Sequence, residues 1–219
     1  MHFRDREEAG WMLADALGEY QGKDAVVYAL PRGGVVLGAE VAKRLDAPLD
    51  IVVPRKVGHP EQPEYGICAV TEDGHLVCSK EEIARLDPAW LTTQVQKQQA
   101  EAKHKRKEYA ADRPATPAKG KTALIVDDGV ATGLSMLAAI EEVKDRNPKK
   151  VILATPVIPN DAAQRLKRYV DELVALEIPT IYLGAVGAYY ENFDRVEDKE
   201  VRKLLSDTKK ETANSRKER

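Results

Sequence analysis

The sequence of 219 residues lacks a long apolar run, an excess of charge of either sign and a dense set of cysteines. No stretch of about eighteen apolar residues occurs, so nothing is expected to span a membrane, and the first residues lack the apolar core of a secretory signal. A net charge of −2 provides no general basic surface for nucleic acid or anionic lipid. These absences predict a cytoplasmic globular protein with no membrane partner, and they speak against nucleic acid as a partner.

The two cysteines give no functional signal. Cys68 and Cys78 show neither a metal-ligand spacing nor the density of a disulfide-stabilised fold. We interpret each as an ordinary small apolar residue. The chain does have an apolar fraction of 43%, which is sufficient at this length for one domain with a buried core.

Short apolar runs alternate with helical patterns along the chain. Strands are predicted at residues 25–30, 49–53, 122–126 and 151–155, and near 172–176 and 180–183. Helices are predicted over about 5–18, 34–45, 133–145 and 160–169. Strands separated by helices of this length imply right-handed crossovers, so the pattern predicts an α/β fold with a twisted parallel sheet flanked by helices.

Three stretches depart from this alternation. Residues 57–74 are rich in glycine and proline and predict a long loop, with room for a short hairpin, that could act as a lid. Residues 88–111 are polar and helix-favouring, which predicts an inserted helix on the rim of the fold. Residues 208–219 lack apolar side chains and predict a disordered charged tail after a single domain over 1–207.

The strongest functional signal is the string LIVDDGVATGLS over residues 124–135. A buried strand ends there in Asp127 and Asp128, and a loop containing glycine then leads into a helix. In open parallel sheets, ligands bind beyond the carboxyl ends of the strands, and a helix N-terminus offers unpaired N–H groups to a phosphate. The string therefore predicts phosphate donors beside two acceptors for sugar hydroxyls.

Two other phosphate-binding motifs fit this string less well. A Walker phosphate loop would need a lysine where Leu134 stands, and the dinucleotide fingerprint would need three glycines at the start of the helix. The remaining alternative is a sharp strand-to-helix turn capped by Asp and Thr.

The string resembles the motif by which type I phosphoribosyltransferases bind 5-phosphoribosyl 1-pyrophosphate (PRPP), especially the form in adenine phosphoribosyltransferase. From Phe3 to about Leu205, the chain is similar to a group of predicted phosphoribosyltransferases whose acceptor is undefined. The resemblance implies an enzyme that transfers ribose 5-phosphate from PRPP to a nitrogen acceptor and releases pyrophosphate. It also implies Mg²⁺ bound mainly through PRPP, a small hood built from both chain ends, and an assembly compatible with a homodimer.

The resemblance also implies roles for individual positions. Asp127 and Asp128 would hold the 2- and 3-hydroxyls of the ribose, with Mg²⁺ nearby. The 5-phosphate would bind to the loop that follows them, made of Gly129, Val130, Ala131, Thr132 and Gly133. Arg32 and Gly33 resemble the pyrophosphate loop, which in relatives often contains a strained peptide bond. Arg55 and Lys56 resemble the basic pair that neutralises pyrophosphate, so Arg32, Lys56 and the two aspartates are the candidate catalytic residues.

A lid tripeptide supplies the candidate proton carrier. Glu64, Tyr65 and Gly66 are similar to the lid tripeptide of adenine phosphoribosyltransferases, where the glutamate lies near the reacting base. Glu64 is therefore the candidate general acid or base, with Glu61 and His59 as alternatives; a purely solvated lid remains equally open. Relatives that use oxopurines carry a carboxylate at the position of Ala131, so the alanine argues against an oxopurine acceptor.

Aromatic residues near the C-terminal part of the chain are the candidate acceptor site. A flat heterocycle could stack on Tyr189, Tyr190 or Phe193 in the hood. The alternative is that these rings close the core beneath the last helix.

Two other functions remain open at this point. The first is a PRPP sensor that catalyses no transfer, which would need a nucleic-acid-binding face such as the basic run at 103–107. The second is a partner-binding protein that uses Trp90, Leu91 and Val95 of the inserted helix.

Overall fold

The computed structural model describes residues 2–111 and 113–217. Its strands are β1 (Ala25–Ala29), β2 (Leu49–Ile51), β3 (Arg55–Gly58), β4 (Gly66–Val70), β5 (Leu76–Cys78), β6 (Thr122–Val126), β7 (Lys150–Val157) and β8 (Glu172–Glu177). Its helices are α1 (Arg6–Ala16), α2 (Gly33–Leu45), α3 (Lys80–Ile83), α4 (Pro88–Ala110), α5 (Leu134–Asp145), α6 (Asn160–Leu166) and α7 (Asp198–Lys217).

Five strands form a parallel sheet in the order β2-β1-β6-β7-β8. Ala29 at the end of β1 pairs with Val126 at the end of β6, so the loops after these two strands leave the sheet at the same edge. Every residue of β1 is buried, as expected for a strand covered on both faces. The predicted α/β fold is confirmed.

The core has two layers, one on each face of this sheet. Alternate residues of β1 divide between them, because successive side chains of a strand point to opposite faces. Val27 packs with α1, α2 and α7, whereas Val26 and Tyr28 pack with α5 and α6. The helices that begin beside the carboxyl edge, α2 and α5, are thereby anchored from opposite sides.

The segment predicted as a long lid is mostly a second sheet. Strands β3, β4 and β5 pair antiparallel, and only residues 59–65 form the loop between β3 and β4. Its small core contains Val57 and Ile67. The short hairpin expected in this segment is present as β3 and β4, whereas the prediction of one long loop over 57–74 was wrong. Glycine and proline dominate the composition there, and the apolar residues between them are few.

The structure also pairs the two cysteines, which we interpreted as ordinary small apolar residues. Strand register sets Cys68 opposite Cys78, and the two form a disulfide between β4 and β5. Trp90, Leu91 and Val95 of α4 pack against this small sheet. The apolar seam considered for an external partner is therefore used within the chain.

Two predictions near the C-terminus differ from the structure. Residues 180–183 form no strand: the N–H of Leu183 donates to the hydroxyl of Tyr189 at 3.0 Å instead of to a strand neighbour, and Ile181 is exposed. The tail predicted as disordered from residue 208 continues α7 to Lys217, because Val201 and Leu205 anchor the helix and no proline or glycine follows them. The last two residues of that tail, 218–219, lie outside the described part.

Among the described residues, no helix is both long and apolar enough to cross a membrane.

Candidate functional site

A cavity of about 240 Å³ opens at the carboxyl end of β6. This is the edge at which ligands bind in open parallel sheets. The cavity brings together the acidic pair, the whole loop that follows it and one lysine from the small sheet. Its lining residues are Lys56, Asp127, Asp128, Gly129, Val130, Ala131, Thr132, Gly133, Ser135, Met136 and Val186.

The two aspartates share one environment. They follow directly after β6, and Asp127 Oδ1 accepts the backbone N–H of Asp128 at 2.9 Å. Burial, and next the charge of Asp128, raise the pKa of Asp127 well above its usual value. Two carboxylates held this close favour a state in which one of them keeps a proton.

The loop at residues 129–133 presents the start of α5 to the cavity. Gly133 has a left-handed φ of 81°, a conformation that glycine adopts without a steric penalty, and no side chain caps the helix. The first N–H groups of an α-helix have no partner inside the helix, so they are available to an anion. Arg165 of α6 donates to the carbonyl of Thr132 and braces the loop from outside.

The loop after β1 presses against the acidic pair. A Cβ atom at Gly33 would lie 1.9 Å from Asp128 Oδ2, so only glycine allows this approach. The peptide bond between Pro31 and Arg32 is cis. The Arg32 side chain extends toward α7, where its Nη1 lies 3.7 Å from Oδ1 of Asp198.

The basic pair is divided between two faces of β3. Lys56 lines the cavity, whereas Arg55 Nε lies 3.4 Å from Oε1 of Gln98 on α4. The pair also begins β3 rather than ending a strand of the parallel sheet. The structure thus gathers Lys56 with the acidic pair and leaves Arg55 outside the cavity, because neighbouring residues of a strand point in opposite directions.

Both chain ends build the hood, which we define as residues 3–6 and 182–194. Phe3 pairs with Tyr190, and the Phe3 N–H donates to the carbonyl of Tyr189 at 2.8 Å. Tyr189 and Tyr190 are only 3% and 6% exposed, so their rings belong to the core and offer no open stacking face. This burial favours the alternative, in which these rings close the core, over their predicted role as acceptor-binding residues. Phe193 keeps an exposed part.

Sequence reasoning missed Arg6, the first residue of α1. Its Nε lies 2.7 Å from Asp128 Oδ2, and its guanidinium sits 3.8 Å from the ring centroid of Phe193. The only local signal at this position is the start of the predicted helix, where Asp5 accepts the N–H of Glu8. Nothing in the spacing connects residues 122 positions apart, so only the fold reveals the contact.

The lid candidates lie in the loop over 59–65. Glu64 is exposed and is not among the residues that line the cavity. The neighbouring Tyr65 hydroxyl donates to Oε1 of Glu82 at 3.0 Å, which holds the loop toward α3. The Glu61 N–H donates to Nδ1 of His59 at 3.2 Å within the same loop.

The basic run on α4 is partly committed to internal ion pairs. Lys105 Nζ lies 2.8 Å from carboxylate oxygens of both Glu108 and Asp198, and Arg106 Nη1 lies 2.7 Å from Oδ1 of buried Asp50. These ion pairs neutralise part of the positive charge that a nucleic-acid-binding face would require.

Comparisons with known proteins point to one family. The family model described as "Phosphoribosyl transferase domain" matches residues 7–192. Two Mycobacterium tuberculosis proteins, from strains CDC 1551 and H37Rv and both named "Putative phosphoribosyl transferase", are 41% identical over 201 residues, which is 91% of this chain and 45% of each relative. The chain thus spans less than half the length of these curated relatives. The crystal structure of TT1426 from Thermus thermophilus is 42% identical, superposes with a TM-score of 0.79, and the match covers 94% of this chain and 99% of that one.

Proposed function

The chain belongs to the phosphoribosyl transferase family, and from that premise we propose that it binds PRPP and transfers ribose 5-phosphate to a nitrogen nucleophile. Pyrophosphate is the leaving group. A nucleobase is the acceptor class that we propose.

One observation carries the proposal: the cavity at the end of β6 joins two carboxylates to an uncapped helix N-terminus and a lysine. The carboxylates accept hydrogen bonds from the ribose hydroxyls. The N–H groups at the start of α5 and the hydroxyl of Thr132 bind the 5-phosphate. Lys56, which lines the same cavity, supplies positive charge for the pyrophosphate.

Catalysis at this site is electrostatic and positional. Cleavage of the bond between the anomeric carbon and pyrophosphate leaves positive charge on the sugar and negative charge on the leaving group. Asp128 and Asp127 stabilise the cationic sugar, while Lys56 and Arg32 stabilise the departing pyrophosphate. The site therefore needs no covalent intermediate with the protein.

Mg²⁺, when bound, would neutralise part of the pyrophosphate charge. The described residues contain no cluster of three or more His, Cys, Asp or Glu side chains suited to a metal ion. Two carboxylates beside the cavity fit an ion that takes most of its ligands from PRPP and water, as Mg²⁺ usually does at phosphate sites.

The loop over 59–65 acts as the lid in this proposal. A cationic sugar must be shielded from water, or PRPP would be hydrolysed. Glu64 lies near the end of this loop and is exposed, and closure would carry it toward the reacting nitrogen, where it moves a proton. Phe193 is the hood aromatic that keeps an exposed part, and we propose that the acceptor contacts it.

Calorimetric titration with PRPP in the presence of Mg²⁺ tests the binding step, and release of pyrophosphate in the presence of purines, pyrimidines or amines tests the transfer. We expect PRPP uptake and stimulation of release by at least one acceptor. Well-folded protein that takes up no PRPP would refute the proposal. Uptake of PRPP without release for any acceptor would favour the sensor function, and salt-sensitive RNA or DNA binding modulated by PRPP would strengthen it.

A further inference from the structure

Arg6 is held on three sides at the boundary between the hood and the cavity. Its Nε donates to Asp128 Oδ2 at 2.7 Å, and its Nη1 donates to the carbonyl of Asp194 at 2.6 Å. The ring of Phe193 covers one face of the guanidinium. These contacts direct the side chain at a carboxylate that lines the cavity.

The predicted pyrophosphate loop packs against the same contact through Gly33. A Cβ atom at Gly33 would lie 2.8 Å from Arg6 Nε as well as 1.9 Å from Asp128 Oδ2. Asp128 Oδ2 is therefore enclosed by Arg6 and Gly33. The carboxylate cannot rotate freely, and its orientation toward the cavity depends on the arginine.

A contribution to fold stability does not by itself explain the ion pair between Arg6 and Asp128. The side chains of Arg6 and Asp128 are 12% and 15% exposed, so both ions lose much of their hydration. The cost of that desolvation can cancel the attraction between the partners. A pair of this kind is better explained by the geometry that it imposes on a functional carboxylate.

We propose that Arg6 is a positioning residue for sugar binding, which holds Oδ2 of Asp128 so that Oδ1 receives a ribose hydroxyl of PRPP. The inference rests on the proposed function. Arg6 also places a positive charge beside this carboxylate, next to Asp127. An ionised carboxylate accepts hydrogen bonds only, which is what two sugar hydroxyls require.

Calorimetric titration of the full chain with PRPP and Mg²⁺ tests the role through Arg6→Gln and Arg6→Lys. We expect Arg6→Gln to weaken PRPP binding by about tenfold or more, since a hydrogen bond to a charged group is lost. Arg6→Lys restores part of the affinity, because the ammonium keeps the charge but not the fixed geometry of the guanidinium. Arg44→Gln is the matched control: it removes an exposed arginine paired with Asp15, away from the cavity, and should bind PRPP as the wild type does.

A double-mutant cycle shows whether Arg6 acts through Asp128. In the Asp128→Ala background, Arg6→Gln should cause little further loss, because the contact is already removed. Thermal unfolding of each variant separates this effect from a general loss of folded protein.

Two results would overturn the inference: wild-type affinity in Arg6→Gln, or losses from the two substitutions that add in full. Failure of the wild-type protein itself to bind PRPP is a different outcome, because it removes the proposed function and the inference with it.

Discussion

Arg32 Nη1 lies 3.7 Å from Oδ1 of Asp198, so the arginine of the predicted pyrophosphate loop is paired with the first residue of α7. Asp198 also accepts hydrogen bonds from Lys105 Nζ at 2.8 Å and from the Tyr109 hydroxyl at 2.6 Å, both on α4. These hydrogen bonds lower the pKa of Asp198 to about 2. The inserted helix and the C-terminal helix together therefore set the direction of Arg32.

Asp198→Asn should weaken the hold on Arg32 and raise the KM for PRPP by roughly twofold to fivefold, the range expected for a partly exposed ion pair. The kcat should change less, because Arg32 remains present. Glu200→Gln, two residues along the same helix and exposed, is the control. Steady-state kinetics measure both parameters, and equal KM values in the two variants would contradict this role.

The low pKa of Asp198 also fixes the pH range in which its pairing stabilises the fold. The folded value of about 2 lies below the ordinary value of 3.8, so the contribution is present above pH 4 and is lost as pH falls from about 4 toward 2. Any loss of activity between pH 5 and 7 must then come from another group.

Asp128→Asn should lower turnover by at least about a hundredfold, because it removes a negative charge beside the cationic sugar. The fold should be retained, since the asparagine oxygen can still accept from Arg6. The unfolding temperature and the rate of pyrophosphate release measure the two effects separately. Asp161→Asn, on an exposed position of α6, is the control, and unchanged turnover in Asp128→Asn would refute the assignment of the acidic pair.

Glu64→Gln tests whether the lid carries a proton. Slower transfer and a changed pH profile of kcat are expected, because glutamine can neither give nor take a proton at this position. Glu61→Gln in the same loop is the matched control and should keep the wild-type profile. A wild-type profile in both variants would show that Glu64 is a solvated lid residue that carries no proton. A changed profile in Glu61→Gln alone would indicate that Glu61 is the proton carrier.

The disulfide between Cys68 and Cys78 should stabilise the small sheet. The bond closes a short loop, with a sequence separation of 10, for which a loss of about 2–3 kcal/mol on reduction is expected. Urea unfolding of oxidised and reduced protein measures the difference, and the double variant Cys68→Ala, Cys78→Ala should behave like the reduced form under both conditions. Identical unfolding midpoints of the oxidised and reduced wild type would show that the bond does not contribute.

The parts of the site that are local in sequence could be predicted from it. A buried strand, two aspartates and a glycine loop before a helix are consecutive, so residues 124–135 were sufficient to predict the acidic pair and the phosphate loop. The parallel sheet could be predicted as well, because its strands are short apolar runs separated by helical patterns. Each depends on periodicity and turn chemistry within a few residues.

The parts that depend on distant contacts could not be predicted. Arg6 contacts Asp128, which lies 122 positions away in the sequence. Arg32 likewise contacts Asp198, the first residue of α7. Burial in the hood, which removes the Tyr189 ring from use as a stacking face, likewise arises only when both chain ends come together. The side chains of Arg55 and Lys56 point in opposite directions because both residues lie in β3. This strand was not predicted, since the sequence that follows is rich in glycine and proline.

A buried glutamate beneath the small sheet allows a prediction about pH and stability. Glu72 accepts the Val53 N–H at 2.8 Å through Oε2, while its Oε1 has no hydrogen-bond partner among the described residues. Burial, and next the negative charge of Glu142, raise the pKa of Glu72 to about 7, although Arg106 acts in the opposite direction. The ionised form is therefore unfavourable in the folded protein.

Glu72→Gln should stabilise the protein above pH 7 by about 1–3 kcal/mol and should have little effect near pH 4. An unfolded glutamate releases its proton near pH 4.5, whereas folded Glu72 keeps it until about 7, so the wild type loses stability as pH rises between these values. Glutamine keeps the acceptor for Val53 and carries no charge at any pH. Urea unfolding at pH 4.5 and pH 8 measures the difference, with exposed Glu81→Gln as the control. A difference between variant and wild type that is the same at both pH values would contradict the prediction, because only a group that titrates between them can make stability depend on pH in this way.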